Sequence, residues 1–230
     1  MLSDNDRDRI AAAVQAAEAR TTGEIYCVVA GQSSEYREIP LAWGAIAALA
    51  GPALLLLAGI RVSAPDLGAD DWSAAQVTAT AEAAAHSALL GAILLQGLLF
   101  LIAAFIGSIG PVRRLLTPRT IKRDRVRRRA QDIFLSKNLA ATRERTGVLI
   151  YVSVAEHMAE LIADEGIAAK VDNAVWEDAM ARLMAGFKAG EPAKGFEDAV
   201  KLCGDILAEH FPPRGQDNPN ELPDHVVVLP

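Results

Sequence analysis

The chain has 230 residues, with 23 Lys and Arg against 29 Asp and Glu for a formal net charge of −6, and it is 51% hydrophobic but only 5% aromatic. A mean hydropathy of +0.19 carried by Ala and Leu excludes a disordered or collagen-like chain and points to lipid-facing helix beside a soluble part. Two cysteines, Cys27 and Cys203, exclude a disulfide framework and a Cys-rich zinc site.

The chain opens on a helix, because Ile10, Ala13, Val14 and Ala17 recur at helical spacing. Ser3 is its N-cap, with Asp6 standing where a capping box has Glu. Thr22-Gly23 ends the helix, and Glu24–Ala30 is a short β-branched run that reads as a strand buried on both faces. A polar turn from Gly31 leads straight into Leu41–Ile60, which carries no charge; at about 1.5 Å per helical residue it is roughly 30 Å long, the thickness of a bilayer core. Ser87–Gly110 is a second uncharged run. The first run starts too far into the chain, and without a basic leader, to be a cleaved signal peptide. Between the spans, 61–86 holds Arg61 against Asp66, Asp70, Asp71 and Glu82. After the second span come Arg113, Arg114, Arg119, Lys122, Arg123, Arg125, Arg127, Arg128 and Arg129, opposed by Asp124 alone. Positive charge this close to a span stays in the cytoplasm, so both termini are expected there, with the acidic loop outside an inner, cell membrane. The basic run lacks the interleaved aromatics and base-reading side chains of a nucleic-acid surface. Its position predicts instead that Arg113 to Arg129 meet anionic lipid headgroups, at about 1 kcal/mol per cation. Gly44 with Ala48, and Ala103 with Gly107, offer small residues for close packing of the spans.

A helix is predicted over Lys122–Thr142, then a strand over Val148–Val154 and an antiparallel partner over His157–Ala163. Val175, Trp176, Ala179, Met180, Leu183 and Phe187 mark Asp172–Lys188 as an amphipathic helix. Another helix runs to about His210, where Pro212-Pro213 stops it, and His225–Leu229 can add an edge strand. Residues 1–40 supply one helix and one two-sided strand with nothing to cover it. Joined to 111–230 they give an α/β fold: a three-layer αβα sandwich with a small mixed sheet, its first two strands parallel, interrupted by a two-helix transmembrane hairpin over 41–110.

Thr22-Gly23-Glu24-Ile25, the run Arg145–Val152, the run Glu160–Ile167 and the closing Asn220-Glu221-Leu222-Pro223-Asp224 resemble the TPM domain family, in its subgroup with a membrane hairpin inside the domain. Where typical members have a Gly-x-Gly loop after the hairpin strand, Asp164 replaces the first glycine. The resemblance implies an αβα sandwich, divalent-cation binding in some members, a weak phosphatase activity in a plant relative, and roles in assembling or maintaining membrane complexes.

No catalytic residue can be assigned from the sequence. Cys27 is followed six residues on by Ser33 and Cys203 by Glu209, so neither heads a Cys-x5-Arg phosphate loop, and both fall in apolar patterns. Glu156 beside His157 is a candidate acid–base pair on a hairpin turn, and His210 ends a helix, where it can meet the terminal carbonyls. Asp164 and Glu165 are the candidate metal ligands: hard cations such as Ca²⁺ or Mg²⁺ take several oxygens, of which this pair supplies part, with Glu24 or Thr22 able to approach. The favoured reading is a membrane protein that presents a cytoplasmic interaction or assembly module to membrane-protein partners. The alternative is a divalent-metal-dependent, phosphatase-like hydrolase at the membrane face.

Overall fold

The computed structural model describes residues 2–60, 76–142, 144–213 and 220–230. It divides into two compact units, 1–35 with 119–230, and 36–118. The expected loop between the spans lies, over 61–75, outside the described residues.

The first unit begins with α1 (Asp4–Glu18), whose capping box is complete: the Asp6 amide donates to Ser3 Oγ at 3.1 Å and the Ser3 amide to Asp6 Oδ2 at 2.9 Å. Strand β1 (Glu24–Ala30) is buried at every residue, as is β2 (Gly147–Ser153), and the two pair in parallel from Glu24↔Gly147 to Ala30↔Ser153. Burial on both faces explains the unbroken apolar runs. Strand β3 (Met158–Ala163) returns antiparallel to β2, and the short β4 pairs in parallel with β1, giving the order β3-β2-β1-β4; β4 spans Val227–Leu229.

Alternation along the strands builds two cores. Ile25, Cys27, Val29, Val148, Ile150 and Val152 pack with Ile10 and Val14 of α1 and with two later helices, Asn173–Ala189 and Pro192–His210. On the other face Tyr26, Val28, Leu149 and Tyr151 meet Val126, Ala130, Ile133 and Phe134 of the helix Arg119–Ser136. The unit is thus the expected αβα sandwich with a mixed sheet.

In the second unit α2 (Glu38–Leu57) packs on α3 (Gln76–Ser108), followed by α4 (Gly110–Leu116); the helix Arg119–Ser136 is therefore α5. A Cβ on Gly44 would meet the Phe100 ring at 3.0 Å, and one on Gly107 would meet Pro40 Cα at 3.1 Å, so these small residues let the two helices approach. Leu49, Leu57, Leu94 and Phe105 are 74%, 85%, 66% and 76% exposed, far more apolar surface than a water-facing helix pair tolerates. Glu38–Leu57 and Ala85–Ser108 are each long and apolar enough to cross a membrane.

Several boundaries differ from the sequence reading, among them the start of α3, which lies at Gln76 inside the stretch 61–86 expected as a loop. The helix expected to reach Thr142 stops at Ser136, because Asn138 turns left-handed at φ 54° and drops Leu139 into the core. His157 belongs to the hairpin turn, at φ 51°, and β3 starts one residue later. Asp164-Glu165 is a helix start rather than a plain turn: Asp164 caps the one-turn α6 (Glu165–Ala168), which makes Asn173–Ala189 α7 and Pro192–His210 α8.

Candidate functional site

Polar groups gather at both ends of the parallel strands. At the carboxyl end, just past β1, the Ser33 amide donates to a Glu156 carboxylate oxygen at 3.1 Å. The Ser33 hydroxyl donates to Ser153 Oγ at 2.8 Å, and Ser153 donates to the same Glu156 oxygen. With its one proton so used, Ser33 Oγ accepts from the Tyr151 phenol at 2.9 Å. Protons are thus lined up in one direction, from Tyr151 through Ser33 and Ser153 to Glu156. Tyr151, Ser153 and Glu156 are buried and Ser33 is half-buried; burial raises the Tyr151 pKa. The expected Glu156–His157 pair is split, because the buried Glu156 turns in to the serines while His157 is exposed.

At the amino end stand the predicted metal ligands. Asp164 is buried, and its Oδ1 accepts from the Glu165 amide at 2.6 Å. The Arg145 guanidinium, 3.6 Å from Asp164 and 2.9 Å from Glu165, sits where a bound cation would be held. Asp164 Oδ2 is buried, with no hydrogen-bond partner among the described residues. Thr22 instead donates to Glu144 at 3.0 Å, and Glu24 accepts from the Leu222 amide at 3.1 Å. Among the described residues no group of three or more His, Cys, Asp or Glu side chains could hold an ion. Two carboxylates facing a guanidinium, one of them engaged by the Glu165 amide, supply only part of the six to eight oxygens that Ca²⁺ takes.

On the other side of the same end lies a carboxyl cluster that the sequence reading did not single out. Glu18, buried on α1, accepts from the Ile25 amide at 2.8 Å, and burial pushes its pKa up to about 8. Glu24 and Asp224 add like charge to Glu18, and Glu24 is itself raised, chiefly by burial. The segments 22–25 and 220–224, which carry the family resemblance, meet here.

Both thiols are core groups: Cys27 and Cys203 are buried, and burial raises both pKa values, that of Cys203 to about 12. A groove of about 480 Å³ runs along the outer side of β3, between Arg123 and Arg127 of α5 and Trp176 and Met180 of α7.

Residues 111–206 match the family model of the TPM domain. The chain carries a TPM domain. Its fold is shared with the NMR structure of BA42 protein from the psychrophilic bacterium Bizionia argentinensis, at a TM-score of 0.54 and 18% identity over 99% of this chain and 95% of that one. No curated protein matches. The matched segment of the TPM domain holds Arg145, Asp164 and Glu165, together with Tyr151, Ser153 and Glu156, whereas Ser33, Glu18, Glu24 and Asp224 come from outside it.

Proposed function

We propose that this chain is an inner-membrane protein, anchored by spans within 41–60 and 87–110, that presents its TPM domain to the cytoplasm as an interaction or assembly module for membrane complexes. The observation that carries the reading is that reactive groups of the domain are engaged with one another: the thiols lie in the core, Glu156 binds two serines, and Asp164 and Glu165 face Arg145. The apolar exteriors of α2 and α3 support the anchor. The nine Arg and Lys residues between Arg113 and Arg129 support cytoplasmic termini and contact with anionic headgroups. In intact cells an impermeant maleimide is expected to label a cysteine engineered at Asp70 and to leave one at Lys201 untouched; the reverse pattern contradicts the orientation.

The Tyr151–Ser33–Ser153–Glu156 chain favours a second reading, hydrolysis of phosphoesters at the membrane face, because it links a half-buried hydroxyl to a carboxylate. Purified full-length protein given a panel of phosphoesters, with and without Mg²⁺ or Ca²⁺, is expected to release no phosphate above background. Metal-dependent release that disappears in Ser33→Ala would establish the hydrolase instead.

A further inference from the structure

We propose that the open edge of β3 takes up an extended segment of a partner protein as a fifth strand, with acidic side chains towards α5 and apolar ones towards α7. The proposal rests on the interaction-module reading and names the surface that would serve it. In the order β3-β2-β1-β4, β3 has a strand on one side only among the described residues. The Asp164 amide donates to the Gly147 carbonyl at 2.9 Å, and Gly147 continues the β2–β3 register by one residue. Antiparallel alternation then turns the backbone groups of Met158, Glu160 and Ile162 towards β2 and those of Ala159, Leu161 and Ala163 outward. Natural edges are blunted by Pro, Lys, bulges or very short strands. Strand β3 is six residues of Met-Ala-Glu-Leu-Ile-Ala, half-buried throughout, whereas the opposite edge, β4, has three residues.

The walls of the groove set the partner's chemistry. Met158 and Ile162 pack into the core on the α5 side, and Ala159, Leu161 and Ala163 into the core on the α7 side. Side chains of an added strand alternate in the same way. Those on the α5 side meet Arg123 and Arg127, opposed there by Glu160, 3.9 Å from the two-thirds exposed Arg127. Five further Arg and Lys residues lie on α5. That wall selects carboxylates. Those on the α7 side meet Trp176 and Met180 beside Glu177, a wall that accepts apolar groups and rejects acidic ones. Charge also argues against a second copy of this chain as the occupant. Antiparallel pairing of two β3 edges has its two-fold axis normal to the sheet, which sets one arginine-rich α5 beside the other.

The test uses the full-length chain in phosphatidylcholine nanodiscs, a peptide of four Asp-Val repeats and its Lys-Val counterpart, with amide hydrogen exchange as the readout. At a peptide concentration about ten times its Kd, the Asp-Val peptide is expected to slow exchange of Ala159, Leu161 and Ala163 on the order of tenfold, and the Lys-Val peptide to leave it unchanged. Arg123→Glu with Arg127→Glu is expected to exchange the two preferences, and Ala159→Pro, which removes an outward donor and no β2 bond, to weaken binding in a still folded protein. The proposal is overturned by equal protection from both peptides, by protection away from β3, or by none. It is also overturned if phosphatidylglycerol vesicles alone protect β3, which would assign the edge to the membrane. A partner that co-purifies equally with wild type and the double charge reversal would likewise overturn the edge assignment while leaving the module reading intact.

Discussion

Gly195→Val is expected to destabilise the TPM domain by about 3 kcal/mol or more, because α7 and α8 touch backbone to backbone where Gly195 meets Gly186. A Cβ at Gly195 would lie 2.7 Å from the Leu183 carbonyl oxygen and 3.1 Å from Gly186 Cα, and one at Gly186 would lie 2.4 Å from Gly195 Cα. These obstacles are backbone atoms, which cannot swing aside as a side chain can. Separating the helices would also loosen Leu183 and Phe196, both fully buried, and the edge-on contact of Phe187 with Phe196. Domains are stable by only about 5–15 kcal/mol, so a loss of this size is expected to lower the thermal midpoint by roughly 10 °C. Ala181→Val, on the exposed side of α7, controls for the β-branched side chain and is expected to cost well under 1 kcal/mol. Equal melting of the two variants would mean that the α7–α8 contact is not close.

The second large effect is a pH dependence centred on Glu18. Its pKa is about 8 in the fold against an ordinary 4.5, so the folded state holds a proton that the unfolded chain has released. Stability from this group is complete below about pH 4.5 and is lost as pH rises to 8, with a slope near 1.4 kcal/mol per pH unit. Glu24, raised in the same direction, adds to the loss. Urea midpoints of the wild type are therefore expected to fall from pH 5 to 8 and level off above. Glu18→Gln keeps an acceptor for the Ile25 amide without a charge to bury, so it is expected to match the wild type at pH 5 and exceed it at pH 8. Parallel midpoint curves for the two proteins would show that Glu18 does not carry the effect.

Most of the layer architecture was legible in the sequence because it rests on local patterns. The apolar run Glu24–Ala30 requires cover on both faces, which the amino-terminal segment cannot supply, and the structure buries all seven of its residues. The site was legible only in pieces. Tyr151, Ser153 and Glu156 lie close together in the chain, but their tie to Ser33 depends on the β1–β2 register across about 120 residues. The approach of Arg145 to Asp164 likewise depends on the β2–β3 register, and on a left-handed backbone at Arg145, φ 56°, that nothing in the residue type announces. Glu18 carried a readable signal. It continues the Ile10, Val14 spacing by four, which puts a carboxyl group on the apolar stripe of α1. Such a group must find a donor, keep its proton, or both.

The central claim, that the domain works by holding a partner at the membrane, is tested most directly by taking the full-length chain from its native membrane in lipid nanodiscs and weighing the particles by native mass spectrometry. The account predicts a reproducible complex in which a second membrane polypeptide is present at fixed stoichiometry with this chain. A chain that emerges alone in its disc and, in that same preparation, releases phosphate from phosphoesters on addition of Mg²⁺ or Ca²⁺ would contradict it.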